Sequence, residues 1–229
     1  MRSRQKIQNT ASLIIQFIDS YTKNNQGQQN EQLESESQHS LTDIASSLQS
    51  FKDQIRNQKS CKLVIRIPKL LQSLVALSLY KINTRICQIL DQQRFGVRSW
   101  SRWCLYQIQF NGDEQVQSEL VNNGFGRVMS ISFCTAGGVG EEEDEEINDG
   151  LYYISRFLRQ LYEGSNYWQP SLQPLPLLAQ VSLEQIEEEG ANEEIEAQMN
   201  YKGNYGGIKG DATWAKSETL NNFIHRRRI

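Results

Sequence analysis

The stretch that decides the fold is "DEQVQSELVNNGFGRVMSISF", residues 113–133, because its pattern returns as "SLEQIEEEGANEEIEAQM", residues 182–199. The two stretches superimpose at an offset of 66 residues, which places Gly124 over Gly190. The apolar residues that then coincide are Leu120 with Ile186, Met129 with Ile195, and Phe133 with Met199. Apolar residues at steps of three and four predict helices, and a glycine between two such runs predicts a corner. Each stretch therefore predicts a short helix, a glycine corner and a second amphipathic helix.

A further helical segment follows each of these stretches, and a related one precedes the first. The three segments are "VRSWSRWCLYQI" (97–108), "GLYYISRFLRQL" (150–161) and "ATWAKSETLNNF" (212–223), and we call them the third helices. A gap-free alignment places Leu105 with Leu158 and Leu220, and Ile108 with Leu161 and Phe223. We expect those positions to be buried. At a position beside this buried stripe, the same alignment places one side-chain amide from each helix, namely Gln107, Gln160 and Asn222.

The remaining segments also favour an all-α protein. Apolar spacing predicts a helix over about 40–57 and a core helix over Leu70 to Tyr80, whereas "CKLVIRI" (61–67) has the composition of a short strand closed by Pro68. Residues 1–19 predict a short N-terminal helix, and the polar residues 20–39 predict a linker or loop. The helical domain should span 40–229, with repeats at roughly 40–112, 113–164 and 182–225.

The order of short helix, glycine corner, second helix and longer third helix resembles the armadillo repeat. The likeness is greatest to importin-α-type repeats in "RWCLYQIQFNGDEQVQSELVNNGFGRV", where a Trp precedes an amide by four positions and a glycine opens the next repeat. The resemblance implies a right-handed α-solenoid of about three repeats, with the third helices lining a concave groove. In such proteins, Trp and Asn side chains of the groove clamp an extended peptide.

By this resemblance, Trp103 matches the Trp position and Gln107 the Asn position. Across the three repeats the Trp position reads Trp103, Arg156 and Glu218. The expected partner contacts are Trp103, Gln107, Arg156, Gln160, Glu218 and Asn222. Because Gln replaces Asn and only one Trp is present, we expect a groove of another specificity than a regular ladder for nuclear signals.

Two insertions lengthen the repeats. One is "TAGGVGEEEDEEINDG" (135–150), which has no lysine for a phosphate loop. Read as a calcium loop, it places Ile147 and Arg156 on ligand positions. We expect an acidic loop that ends near Ile147, where a third helix begins. The last carboxylates of the loop suit the positive end of that helix.

The second insertion is "EGSNYWQPSLQPLPLLAQ" (163–180), whose prolines oppose a helix. Its "YWQPSLQPLP" could alternatively be a polyproline-like ligand for another protein.

Composition narrows the classes of function. The net charge of -3 argues against a general nucleic-acid or membrane-surface binder. Four cysteines in apolar contexts indicate buried, reduced thiols and an intracellular, cytoplasmic location, with the nucleus as an alternative. The sequence has only two histidines and no zinc or hydrolase motif. We therefore expect no catalytic site, metal, cofactor or small-molecule substrate. The acidic runs at 141–149 and 184–196 are typical of solvated faces.

The leading hypothesis is a non-enzymatic protein–protein interaction module that binds an extended peptide or a partner protein on the concave third-helix face. Two alternatives stay open. The chain could be a fragment or decayed copy of a longer solenoid scaffold, since about three repeats are near the minimum for stability. It could also be a helical enzyme whose site residues are scattered along the sequence.

Overall fold

The computed structural model describes residues 2–27, 38–82, 84, 86–134, 143–165, 171–202 and 206–225. Within these ranges it contains eleven helices and no strand, apart from an isolated bridge between Ser165 and Leu172. The all-α prediction is confirmed. The chain divides into two compact units, residues 1–111 (unit 1) and 112–229 (unit 2).

Unit 1 contains five helices: α1 (Arg2–Gly27), α2 (Gln38–Gln54), α3 (Gln58–Val64), α4 (Leu70–Ser78) and α5 (Gln88–Asn111). Asn57 caps α3 by accepting a hydrogen bond from the backbone N–H of Ser60 (3.0 Å). The corner before α4 is made by Lys69 in the left-handed region, with φ of 65°. The core is built from fully buried side chains of four helices, including Ile14, Leu48, Phe51, Leu74 and Leu105.

Helices α2 and α5 of unit 1 run parallel. Gln93 donates to the hydroxyl of Thr42 (3.1 Å), and the Cys104 thiol donates to the Leu48 carbonyl (3.4 Å), so these partners are 51 and 56 residues apart. At the other end, Asn111 donates to the Ile55 carbonyl (3.5 Å), again across 56 residues. A nearly constant separation along two helices means that both chains advance in the same direction.

Three buried arginines fix α5 against the chain that follows α4. They are spaced four residues apart, at 94, 98 and 102, so they share one face of the helix. Their guanidinium groups donate to the carbonyls of Thr84 (3.1 Å), Tyr80 (3.3 Å) and Ser78 (3.2 Å). Carbonyls at and beyond a helix C-terminus need donors, and here long cationic side chains supply them.

Unit 2 contains six helices: α6 (Glu114–Asn122), α7 (Phe125–Phe133), α8 (Asp144–Glu163), α9 (Pro176–Glu188), α10 (Ala191–Met199) and α11 (Ile208–His225). Both predicted glycine corners are present. Gly124 (φ 78°) precedes α7, and Gly190 (φ 68°) precedes α10. Positive φ is accessible to glycine without steric cost, which explains why glycine occupies both positions.

The second three-helix set of unit 2 packs on the first in register. Arg127 forms an ion pair with Glu188 (2.6 Å) across 61 residues, and Gln185 donates to the Val121 carbonyl (2.9 Å) across 64. On the third helices, the rings of Tyr152 in α8 and Trp214 in α11 meet edge-on with centroids 5.8 Å apart. These two residues coincide in the gap-free alignment of the third helices.

Helices α7 and α8 cross closely at Gly150. A Cβ added there would lie 1.9 Å from Ser132 Oγ and 3.1 Å from Phe133 Cδ1. Gly150 is buried, and Ser132 is fully buried. A side chain at this position would therefore displace the Ser132 hydroxyl, which donates to the Met129 carbonyl (2.7 Å), and press on Phe133.

Several helix boundaries differ from the predictions. Helix α1 continues to Gly27, so the first eight residues of the predicted linker are helical, and 28–37 lie outside the described residues. Helix α3 includes Cys61 to Val64, so "CKLVIRI" forms no strand. Helix α9 begins at Pro176, which suits a first helical position and allows helix inside the predicted loop at 163–180.

The acidic stretch is also partly helical. Helix α8 begins at Asp144 instead of near Ile147, and its first turn holds Asp144, Glu145 and Glu146. Carboxylates stabilise the positive N-terminal end of a helix, which favours this earlier start. Residues 135–142 of the predicted loop lie outside the described residues.

Two burial predictions are wrong. Leu220 is 46% exposed although its aligned partners, Leu105 and Leu158, are fully buried. It lies on α11, the last described helix, where no later described helix covers it. Cys87 is exposed, whereas Cys61 and Cys104 are buried and Cys134 is half-buried. Cys87 precedes α5 and so lies outside the helical stripe that buries Cys104.

Candidate partner-binding surface on the third helices

Trp103 and Gln107 lie on α5, one turn apart, and both are half-buried. The ring of Trp103 packs edge-on against Tyr106, with centroids 6.3 Å apart, and Tyr106 continues to Phe110 at 5.9 Å. This aromatic row leaves part of Trp103 and Phe110 accessible. Half-buried Trp and Phe rings offer contact area at low conformational cost, as binding surfaces often do.

A lysine that the sequence did not single out completes this cluster. Lys52 Nζ, from α2, lies 5.0 Å from the ring centroid of Trp100 and 5.5 Å from that of Trp103. Both distances are within the range of a cation–π interaction. Lys52 thus brings a cation from α2 to two rings of α5. We call Lys52, Trp100 and Trp103 the cation–aromatic cluster.

The amide of Gln107 is held on one side only. Its Oε1 accepts a hydrogen bond from Asn111 Nδ2 (3.4 Å), and Asn111 also donates to the Gln107 carbonyl (2.9 Å). Gln107 Nε2 donates to no acceptor among the described residues. Its two N–H groups can therefore donate to the main-chain carbonyl of an extended segment.

Three of the other predicted contact residues are described in unit 2. Arg156 and Gln160 are half-buried on α8. Glu218 on α11 is only 5% exposed and accepts a hydrogen bond from Trp214 Nε1 (3.1 Å). Its burial leaves little of the Glu218 carboxylate open to a partner. Asn222 lies on α11, but its side chain is outside the described residues.

The six predicted contacts are thus divided between the units. Trp103 and Gln107 share one face of α5 in unit 1, and Arg156 and Gln160 share one face of α8 in unit 2. Sequence reasoning missed Lys52 in unit 1 and the ring pair of Tyr152 and Trp214 in unit 2. A signal for the second pair existed, because these aromatics coincide in the third-helix alignment.

Two clusters of titratable groups lie away from these residues. Burial raises the pKa of Asp149 to about 6, with the nearby carboxylates of Glu146, Glu145 and Asp211 adding to the rise and a hydrogen bond from Tyr153 (3.2 Å) opposing it. Burial, reinforced by Glu194, raises the pKa of the Cys134 thiol to about 12.

No set of three or more His, Cys, Asp or Glu side chains in the described parts of the chain could hold a metal ion. In those parts, no helix has the length and apolar character needed to cross a membrane.

No protein-family model and no curated protein matches this chain. One similar solved structure is described as an engineered protein, with 15% sequence identity and a TM-score of 0.41. The match covers 96% of this chain and 90% of that one. At such a TM-score the likeness carries no argument about fold or function.

Proposed function

We propose that this chain is a non-enzymatic protein-interaction module of the armadillo-like α-solenoid type. The three-helix repeats would be α3–α5, α6–α8 and α9–α11, and α1–α2 would supply the second and third helices of an earlier repeat. The observation that carries the proposal is the parallel packing of third helices within each unit, α2 with α5 and α8 with α11. Along α8 and α11, Asn148 bonds to Asp211, Tyr152 meets Trp214 and Arg159 lies near Glu218, so both helices advance in the same direction. Stacked repeats place equivalent helices side by side in the same direction, so this packing supports a solenoid.

The partner would be an extended peptide, or an extended segment of a protein, that lies on the concave third-helix face. Trp103 supplies a ring face, Gln107 supplies amide N–H groups, and Arg156 and Gln160 supply a cation and an amide at the aligned positions of α8. Asn222 extends the amide stripe, and Glu218 contributes once its bond to Trp214 is exchanged. The role requires no cofactor, metal, nucleic acid or membrane. Four free cysteines favour a reducing compartment such as the cytoplasm.

The test is selection of binders from a displayed library of unstructured peptides, followed by titration of one selected peptide by fluorescence anisotropy. We expect the double variant Trp103→Ala with Gln107→Ala to bind about tenfold or more weakly, because truncating a central Trp typically costs more than 1 kcal/mol. Far-ultraviolet circular dichroism should remain helical.

A matched control removes an exposed apolar residue and an exposed amide away from the third helices, in Leu13→Ala with Gln180→Ala. This control should bind within twofold of the unaltered chain. Equal affinity of the Trp103→Ala, Gln107→Ala variant and the unaltered chain would remove the third-helix face from the proposal.

A further inference from the structure

The ring faces that a peptide would meet on α5 already carry a positive charge. Lys52 Nζ lies within 5.5 Å of the Trp100 and Trp103 ring centroids, and the Lys52 side chain is 21% exposed. Attraction of a second cation to the same rings would require Lys52 to leave them or to tolerate it nearby. Like charges at contact distance repel one another, and the repulsion is stronger at a partly buried site than in water. The cation–aromatic cluster therefore disfavours a lysine- or arginine-rich segment.

The charges beside the cluster are also predominantly positive. Arg56 lies just beyond the end of α2, and its side chain is 69% exposed. Asp53 is the carboxylate that both cations share, at 2.6 Å from Arg56 and 3.9 Å from Lys52. These three side chains together carry a net charge of about +1. An arginine guanidinium has five N–H donors, so Arg56 can bind a second carboxylate while it keeps Asp53.

The charge of unit 1 as a whole has the same sign. Residues 1–111 contain 15 Lys and Arg against 7 Asp and Glu. Arg94, Arg98 and Arg102 are buried and donate to carbonyls, so they do not account for ligand binding. By contrast, Arg56 is largely exposed and Lys52 partly so, and Lys52 lies against the rings of Trp100 and Trp103.

We propose that the segment bound on the α2–α5 face of unit 1 is an acidic extended peptide. Its carboxylates pair with Lys52 and Arg56, an apolar side chain packs on Trp103, and its main chain accepts from Gln107. The inference rests on the proposed function and names the partner class for that face. It also reverses the preference for basic nuclear signals that the importin-α likeness would imply.

The experiment uses the full chain and three labelled, unstructured peptides of equal length with the same central leucine. One is rich in Glu, one is rich in Lys, and one is neutral. At low ionic strength we expect the Glu-rich peptide to bind about tenfold more tightly than the Lys-rich one, as one favourable against one unfavourable charge contact would give. The net charge of -3 on the chain opposes this order, so such a result requires a local site.

Point variants distinguish binding at a local site from attraction due to the overall charge of the chain. Lys52→Met should weaken binding of the Glu-rich peptide about fivefold to tenfold and strengthen that of the Lys-rich peptide. Asp53→Asn should strengthen binding of the Glu-rich peptide, because it removes the competing carboxylate. Lys6→Met removes an exposed cation of α1 and should leave the affinity within twofold. Circular dichroism of each variant checks folding, and Lys52→Arg should bind the Glu-rich peptide like the unaltered chain.

The failures of the two proposals are distinguishable. Preference for the Lys-rich or neutral peptide, lost in Trp103→Ala with Gln107→Ala, overturns the acidic partner and keeps the third-helix surface. An equal loss in Lys52→Met and Lys6→Met overturns it as well, since binding would then follow net charge only. If the Trp103→Ala, Gln107→Ala variant binds every peptide as the unaltered chain does, both proposals fall.

Discussion

Unit 1 and unit 2 share a helix order but carry opposite charge. Residues 1–111 hold 15 basic and 7 acidic side chains, whereas residues 112–229 hold 9 basic and 20 acidic ones. Their formal charges of +8 and -11 nearly cancel in the whole-chain value of -3. In both units, a short helix, a left-handed corner residue, a second helix and a long third helix follow one another. The comparison teaches that this order constrains corners and buried stripes, and leaves the exposed positions free to differ.

The largest expected difference concerns one aligned position of the third helices. Cys104 in unit 1 and Phe157 in unit 2 coincide and are both fully buried. The ring of Phe157 packs 4.6 Å from that of Phe125, centroid to centroid. Phe157→Ala should cost about 3–5 kcal/mol, because it removes a large ring and leaves a cavity, whereas Cys104→Ala should cost about 1 kcal/mol.

Urea unfolding, followed by hydrogen exchange resolved along the chain, measures both losses and the unit in which each occurs. Phe157→Leu serves as the control, since it keeps most of the apolar volume and should lie between the two. An equal cost at the two positions would contradict the prediction that the loss follows the size of the buried side chain.

The corner residues allow a comparison in which the sign of the effect changes. Gly124→Ala places a side chain at φ 78°, and an added Cβ there meets no atom within 4 Å. The expected cost of about 1–2 kcal/mol is therefore due to the backbone alone. Lys69 occupies the corresponding corner at φ 65°, so Lys69→Gly should stabilise unit 1 by about 0.5–1 kcal/mol.

Thermal unfolding by circular dichroism checks both changes. Loss of the exposed Lys69–Asp19 ion pair (3.5 Å) offsets little of the gain, and Lys69→Ala is the control that removes the ion pair but keeps the strain. Destabilisation by Lys69→Gly would contradict the equivalence of the two corners.

The smallest expected effect is the pH dependence of unit 2 at Asp149. Because its folded pKa of about 6 lies above the unfolded value of about 3.9, the folded state holds the proton more tightly. The resulting stabilisation is complete below about pH 4 and is lost as the pH rises through 6. Asp149→Asn should therefore stabilise unit 2 by about 1 kcal/mol at pH 7, after allowance for solvent screening, and by almost nothing at pH 4.

Urea midpoints at pH 4, 5.5 and 7 test this prediction. Unit 1 offers an internal control, because the residue aligned with Asp149 is Gly96, which does not titrate. The same pH dependence in the variant as in the unaltered chain would exclude Asp149 as its source.

The sequence predicts the corners of unit 2 but not that of unit 1. Gly124 and Gly190 are visible because glycine is the residue that positive φ favours. Lys69 gives no such signal, since lysine has no preference for that region, and the corner before α4 was missed. Helix α3, which contains Cys61 to Val64, gives a misleading signal as well, because "CKLVIRI" has the composition of a strand although Asn57 caps a helix there.

The candidate site divides in the same way. Alignment of the third helices indicates Trp103, Gln107, Arg156 and Gln160, all of which are half-buried. Lys52 was not predicted, because a lysine on a polar helix face is ordinarily solvated and its approach to two Trp rings depends on how α2 packs against α5. The burial of Glu218 depends in turn on its bond to Trp214, which residue spacing alone does not predict.

The close crossing at Gly150 has a consequence for how this protein can change in length. The chain leaves α7 after Phe133 and must return to place Gly150 against Ser132, so both ends of the connection are fixed by packing. Residues added between Cys134 and Glu143 alter neither end. Each doubling of the length of a loop costs only about 0.6 kcal/mol in closure entropy. Residues 135–142 are therefore a tolerant place for the chain to acquire a new segment, or for an experimenter to insert a label, while a side chain at Gly150 would press on Ser132 and Phe133.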